Sequence, residues 1–178
     1  MGCSVTLGGI KTVDCQDNRG GIKNVYLCNA AEIDSIGVDS ADQNVITGIT
    51  LISGSSKFHK YAFRKNSASF TSTLTVSDNG GSSYVSTVLS MSFNKMEAAK
   101  RLEMNALAIG ELVAIVEDRN GTFFYLGYDE PIKASNGTGE TGAARTDNNQ
   151  YTIELTDESN EYPFTVDSSV IKDIIAED

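Results

Sequence analysis

The chain is 178 residues long, 40% hydrophobic, and carries 14 basic against 24 acidic side chains, for a net charge of −10 and a pI near 4.5. That length can bury one core without disulfide or metal staples, and the composition is that of a folded chain rather than a disordered one. The acidity excludes a phosphate-gripping nucleic-acid binder and a protein held on an anionic membrane surface, since both need clustered cations, and no apolar run approaches the ~20 residues that span a bilayer.

The opening MGCSVT fits the pattern for N-myristoylation beside an acylatable cysteine. Stable anchoring takes a second signal and no polybasic patch follows, so Val5 and Leu7 are read as part of a first β-strand. No secretory h-region follows, which predicts synthesis and folding in a cytoplasm. Cys3, Cys15 and Cys28 are odd in number and are expected to be reduced thiols. The only histidine, His59, is remote from them and comes with no CxxC or HxxxH spacing, so no zinc site is predicted.

Strands are predicted at Ile22–Leu27, Val45–Ile52 and Phe58–Phe63. In SASFTSTLTV, the residues Ala68, Phe70, Leu74 and Val76 share one parity, with serine and threonine on the other. Such period-2 alternation marks a strand with one buried face. Asp78-Asn79-Gly80-Gly81 is a turn sequence. SYVSTVLSMSF then alternates again through Val85, Leu89, Met91 and Phe93. The two segments predict a long antiparallel hairpin.

A helix is predicted from Lys95 to about Leu107, capped by Asn94, with Glu97 favouring its N-terminus. Met96, Ala99, Leu102 and Ala106 give it an apolar stripe, Lys100 and Arg101 a solvated side, and Gly110 a left-handed stop. ELVAIVED, the turn RNG and TFFYLGY read as a second hairpin. Its apolar run from Leu112 to Val116 predicts a strand covered on both faces. Further strands are expected at Tyr151–Leu155 and Tyr162–Val166. Between Ala134 and Asn149 the stretch ASNGTGETGAARTDNN has no apolar period and predicts a long loop of the kind that carries function or reaches a neighbour. Without repeats or linkers, residues 1–178 are expected to form a single β-rich domain: mainly β, a sandwich or barrel of antiparallel hairpins with one flanking helix at about 95–107.

No catalytic constellation emerges from these residues. GTGETGAA lacks the Lys and Ser/Thr of a P-loop, with Ala143 and Ala144 in their places. Glu140, Asp147 and Asp118 are calcium-type carboxylates without EF-hand spacing. His59 has no Ser-plus-acid partner pattern, and nothing picks out two carboxylates for glycoside hydrolysis. Asn120-Gly121-Thr122 and Asn136-Gly137-Thr138 match a glycosylation acceptor that a non-secreted chain would not use. The expectation is no enzyme, no cofactor and no metal. Polar strand faces of this kind suit assembly by strand and loop contact.

The run FRKNSASFTSTLTVSDNGGSSYVSTVLSMSFNKMEAAKRLEMNALAIGELVAIVEDRNGTFFYLGYDEP, followed by GTGETGAARTDNNQYTIELTDESNEYPF, resembles structural proteins of tailed phages and prophages of gut Bacteroidetes, including crAss-like phages. The resemblance spans about Phe63 to Val166 and rests on segment character and on the order of LGY, GTGETG and YTIELTDESNEYPF. It implies a tail-tube-like fold and a virion structural protein assembled in the bacterial host cytoplasm. The subunit would form a tail tube or tail-connector ring, homo-oligomeric and most plausibly hexameric. Its partners would be itself and other virion proteins. DNA would pass an acidic lumen without specific binding, and no membrane is involved; phage hosts generally lack the transferase that would lipidate MGCSVT. The segment expected to reach the next subunit is Asn136, Gly137, Thr138, Gly139, Glu140, Thr141, Gly142 and Arg145. The alternatives are a capsid-attached auxiliary protein and a carbohydrate-binding or host-adhesion module; for the latter, the absence of tryptophan removes the usual sugar-stacking platform.

Overall fold

A computed structural model describes residue 9 and residues 18–175, apart from 40, 42–43, 55 and 78–80. The expected strand at Val5 and Leu7, Cys3, Cys15 and the turn at Asp78-Asn79-Gly80 lie outside the described residues. The chain is mainly β. Its strands are β1 (Ile22–Asn29), β2 (Ile33–Asp39), β3 (Val45–Leu51), β4 (His59–Ala62), β5 (Ala68–Val76), β6 (Ser83–Asn94), β7 (Leu112–Asp118), β8 (Phe123–Leu126), β9 (Lys133–Glu140), β10 (Gln150–Ser159) and β11 (Phe164–Val166). Helix α1 (Ala98–Ile109) follows β6, and α2 (Ser168–Ile174) follows β11.

Two sheets form, one of seven strands in the order β2-β3-β11-β8-β7-β1-β4 and one of four in the order β5-β6-β10-β9. Pairing is antiparallel throughout, save that β11 lies parallel to β3 at Val166↔Ile46. The predicted hairpin is β5–β6, in register from Ala68↔Met91 to Val76↔Ser83.

Between the sheets lies one apolar cluster, in which Val25, Leu27, Ala114 and Val116 of the large sheet meet Leu89, Met91, Ile153 and Leu155 of the small one. The opposite parity of the large sheet contributes Tyr26, Cys28, Ile46, Val113, Ile115 and Tyr125 to a second cluster, covered by Val170, Ile171 and Ile174 of α2. Strand β7 therefore has apolar residues on both faces and is buried from Leu112 to Glu117, as its unbroken apolar run predicts.

Five features of these elements differ from the sequence expectations. Strand β2 was not foreseen; its IDSIGVD is only half-buried, so the apolar alternation is weak. A second helix, α2, joins the single one expected, started by an Asp167 side chain that accepts from the Ser169 N–H. Helix α1 begins at Ala98 rather than Lys95, because Lys95 takes a left-handed φ of 67° that turns the chain out of β6. Gly110 is extended rather than left-handed, at φ −76° and ψ 144°. The face α1 turns inward also differs: Leu107 is buried and Met104 packs on the core, whereas Ala99, Leu102 and Ala106 of the expected stripe point outward.

Candidate functional site

The segment expected to be one long loop is divided by the structure. Asn136, Gly137, Thr138, Gly139 and Glu140 lie in β9, paired with β10 through Gln150↔Glu140, Thr152↔Thr138 and Glu154↔Asn136. Only Thr141 to Asn149, including Gly142 and Arg145, form a connection. A strand here carries no apolar period because it is an edge strand whose inward positions are the small residues Ala134, Gly137 and Gly139. A Cβ on Gly139 would sit 3.0 Å from the Tyr151 ring and 3.2 Å from Met96. The connection is internally organised: the Asp147 carboxylate accepts from the N–H groups of Ala143 (2.8 Å) and Ala144 (2.7 Å), bonds that hold its pKa below the usual range. Gly142 is at φ +67°, and a Cβ there would meet Asp147 Cβ at 2.3 Å. At its end, Asn149 ties the connection to the start of α1: its carbonyl accepts from Lys95 N–H and its side-chain oxygen from Met96 N–H. Arg145 stays exposed.

The three calcium-type carboxylates are not brought together. Asp118 Oδ1 accepts from the N–H groups of Asn120 and Thr122 inside its own turn (2.8 Å each). Glu140 pairs with Gln150 at 3.0 Å, and Asp147 serves its loop. Among the described residues no group of three or more His, Cys, Asp or Glu side chains is placed to hold a metal ion. His59 is exposed on β4, and Cys28 is buried, its thiol donating to Glu32 at 3.4 Å. Burial first, then Glu32, pushes that thiol up to about 12.

Two buried carboxylates went unnoticed in the sequence. Glu117 accepts from Lys23 Nζ (2.6 Å), Asn24 Nδ2 (2.5 Å) and Tyr26 OH (3.1 Å). Burial raises its pKa, but those three donors together outweigh burial and the net shift is downward. Such a satisfied network is structural. Asp157 is different. It takes the inward parity of β10 after Ile153 and Leu155, and its Oδ2 accepts from Gly127 N–H at 3.0 Å. Its Oδ1 has no hydrogen-bond partner, and neither has the Tyr125 hydroxyl, which lies in the cluster under α2 beside Cys28; both atoms are buried. Burial pushes the Asp157 carboxyl up, only partly offset by Gly127 and Thr87. The sequence does hold a signal for Asp157: a charged residue on the core parity of YTIELTD.

Asp157 and Tyr125 line a cavity of about 180 Å³ between the β8–β9 and β10–β11 turns. Tyr128 and Phe164 form part of its wall, with ring centroids 4.6 Å apart, and Asp129 and Glu161 add carboxylates. Asp129 Oδ2 accepts from both the backbone and the side-chain nitrogen of Asn160, fastening the two turns together (2.8 and 3.1 Å).

Among the described residues, large apolar side chains stand exposed in pairs on α1 and on β5, and singly at Ile52. On α1, Leu102 is 62% and Ile109 87% exposed. Near the end of β5, Leu74 is 46% and Val76 63% exposed, on the parity that is buried at Ala68. Helix α1 packs against β9, and β5 is the other edge of the four-stranded sheet, so the patches lie at opposite edges. The outward parity of that sheet is mostly polar: Ser69, Thr71, Ser86, Ser90, Thr152 and Thr156 are accompanied by Glu140, Glu154 and Glu158, and also by Lys133, Tyr84 and Val88. No protein family, curated protein or solved structure matches the chain.

Proposed function

We propose that the chain is a virion structural protein, a tail-tube or tail-connector ring subunit that assembles with copies of itself. The observation that supports this is the pair of apolar patches, Leu102 with Ile109 and Leu74 with Val76, at opposite edges of one sheet. Two different patches on one chain favour a head-to-tail contact, which generates a ring when the rotation closes. Sixfold closure is the stoichiometry proposed. Contacts through the two edges leave the outward face of the four-stranded sheet free to line a lumen. On this face Glu140, Glu154 and Glu158 outnumber the cation Lys133, which is itself paired with Glu111, so that like charge repels phosphate.

Light scattering and electron microscopy of the full chain test the reading. Rings or short tubes are expected at high concentration or with virion partners as nuclei. A 19.1 kDa monomer under every such condition would overturn it.

A further inference from the structure

Independently of any assembly, the cavity between the β8–β9 and β10–β11 turns has the character of a ligand site. A buried carboxylate oxygen on its wall, Asp157 Oδ1, lacks a partner in a residue 6% exposed. An unsatisfied buried polar group costs stability unless something pairs with it. The cavity's about 180 Å³ exceeds the ~10–15 Å³ that one water needs. None of its lining residues is cationic, while Asp129, Asp157 and Glu161 are acidic. Tyr128 stands edge-on to Tyr125 (centroids 6.4 Å, planes at 82°) and tilted on Phe164, a wall of aromatic surface. No three ligand-type side chains among the described residues are grouped for a metal ion. What remains is a cation that only donates hydrogen bonds and carries an apolar stem.

We propose that this cavity binds an alkylguanidinium or alkylammonium group, the chemistry of an Arg or Lys side chain, with Asp157 as counter-ion and Tyr128 as a cation–π face. Aromatic faces attract such cations, and a desolvated carboxylate bonds them more strongly than a solvated one.

The Gly127 amide, bonded to Asp157 Oδ2, is a built-in reporter. Titration of the full ¹⁵N-labelled chain with N-ethylguanidinium and with n-butylammonium, against sodium chloride at equal ionic strength, is expected to move that amide saturably. Asp157→Asn should weaken binding at least tenfold, since Asn can keep the Gly127 bond but not the charge. If that variant fails to fold, Tyr128→Leu, at a half-exposed position, should weaken binding severalfold. Dilution of the wild-type protein then distinguishes the source of the cation. An amide shift that depends on protein concentration and is competed away by N-ethylguanidinium points to an Arg or Lys of a second copy. A concentration-independent amide that responds to added ligand points to a free small molecule. No saturable shift beyond the salt control, or unaltered affinity in the folded variants, would overturn the proposal and leave ordered water as the occupant.

Discussion

The side-chain oxygen of Asn149 accepts the Met96 N–H at 2.9 Å, so the residue that closes the β9–β10 connection also holds the chain as it enters α1. Its own carbonyl takes the preceding Lys95 N–H at 2.6 Å. Asn149→Ala removes the first bond and keeps the second. A loss of about 1 kcal/mol is expected, the usual size for a helix-start partner. Urea denaturation followed by circular dichroism measures it, and unchanged stability would show that water replaces the bond without cost.

Glu117 gives an acid-side prediction with a definite sign. Its folded pKa lies below the ordinary 4.5, so its stabilisation is complete above that value and is lost as pH falls through the lower folded value. Glu117→Gln should cost roughly 1.5–3 kcal/mol at pH 7, the range for hydrogen bonds to a charged group. The gap from wild type should narrow only below pH 4.5. Thermal denaturation at stepped pH checks this, and a gap independent of pH would exclude the charge as its source.

Asp157 should behave in the opposite sense. Its folded pKa is raised above 3.8, so the native state binds the proton more tightly than the unfolded chain, and the ligand-free protein gains stability on acidification through that window. Asp157→Asn should therefore raise the melting temperature at pH 7. Its advantage should shrink as pH approaches 3.8. A variant less stable than wild type at pH 7 would mean that Asp157 is already satisfied there.

Gly127 sits at φ +86°, where a Cβ would meet Leu112 O at 3.2 Å and Ile132 N at 3.3 Å. Gly127→Ala combines that crowding with a strained backbone, and about 1–3 kcal/mol of destabilisation is expected. The Asp157 bond should lengthen with it, visible in the chemical shift of the residue 127 amide. A neutral substitution would show that the turn relaxes freely.

For the proposed lumen, Glu154→Lys with Glu158→Lys should leave rings intact while slowing DNA ejection. The slowing should fade as salt rises, since screening acts over about 8–10 Å near physiological ionic strength. Ejection at the normal rate from charge-reversed particles would detach the acidity of this face from DNA passage.

What could be read from the residues follows from where apolar side chains carry the information. The β5–β6 hairpin and the doubly covered β7 announce themselves by period and by run, because burial selected each side chain. Strand β9 is invisible for the opposite reason. KASNGTGE pairs through its main chain and offers glycine where Tyr151 lies over it, so its composition is that of a loop. The stripe expected on α1 is not the side its fold buries: Ala99, Leu102 and Ala106 face outward while Met104 and Leu107 face the core. A helix with apolar residues on two sides does not declare which one its own fold uses. The cavity at Asp157 depends on two turns meeting through Asp129 and Asn160, a tertiary relation that local pattern does not encode.

Strand β11 follows every other strand in the chain yet occupies an interior place, between β3 and β8. Vectorial synthesis makes this a timing device. The β2–β3 pair has no route to the rest of the large sheet until residues 164–166 have emerged from the ribosome and filled the gap. Until then two hydrogen-bonding edges, one on β3 and one on β8, stand open in a crowded cell, where unpaired edges recruit foreign strands. Closure is late and long-range, of the sort that folds slowly. A nascent chain stalled before Phe164 is thus the species that a chaperone would be expected to hold.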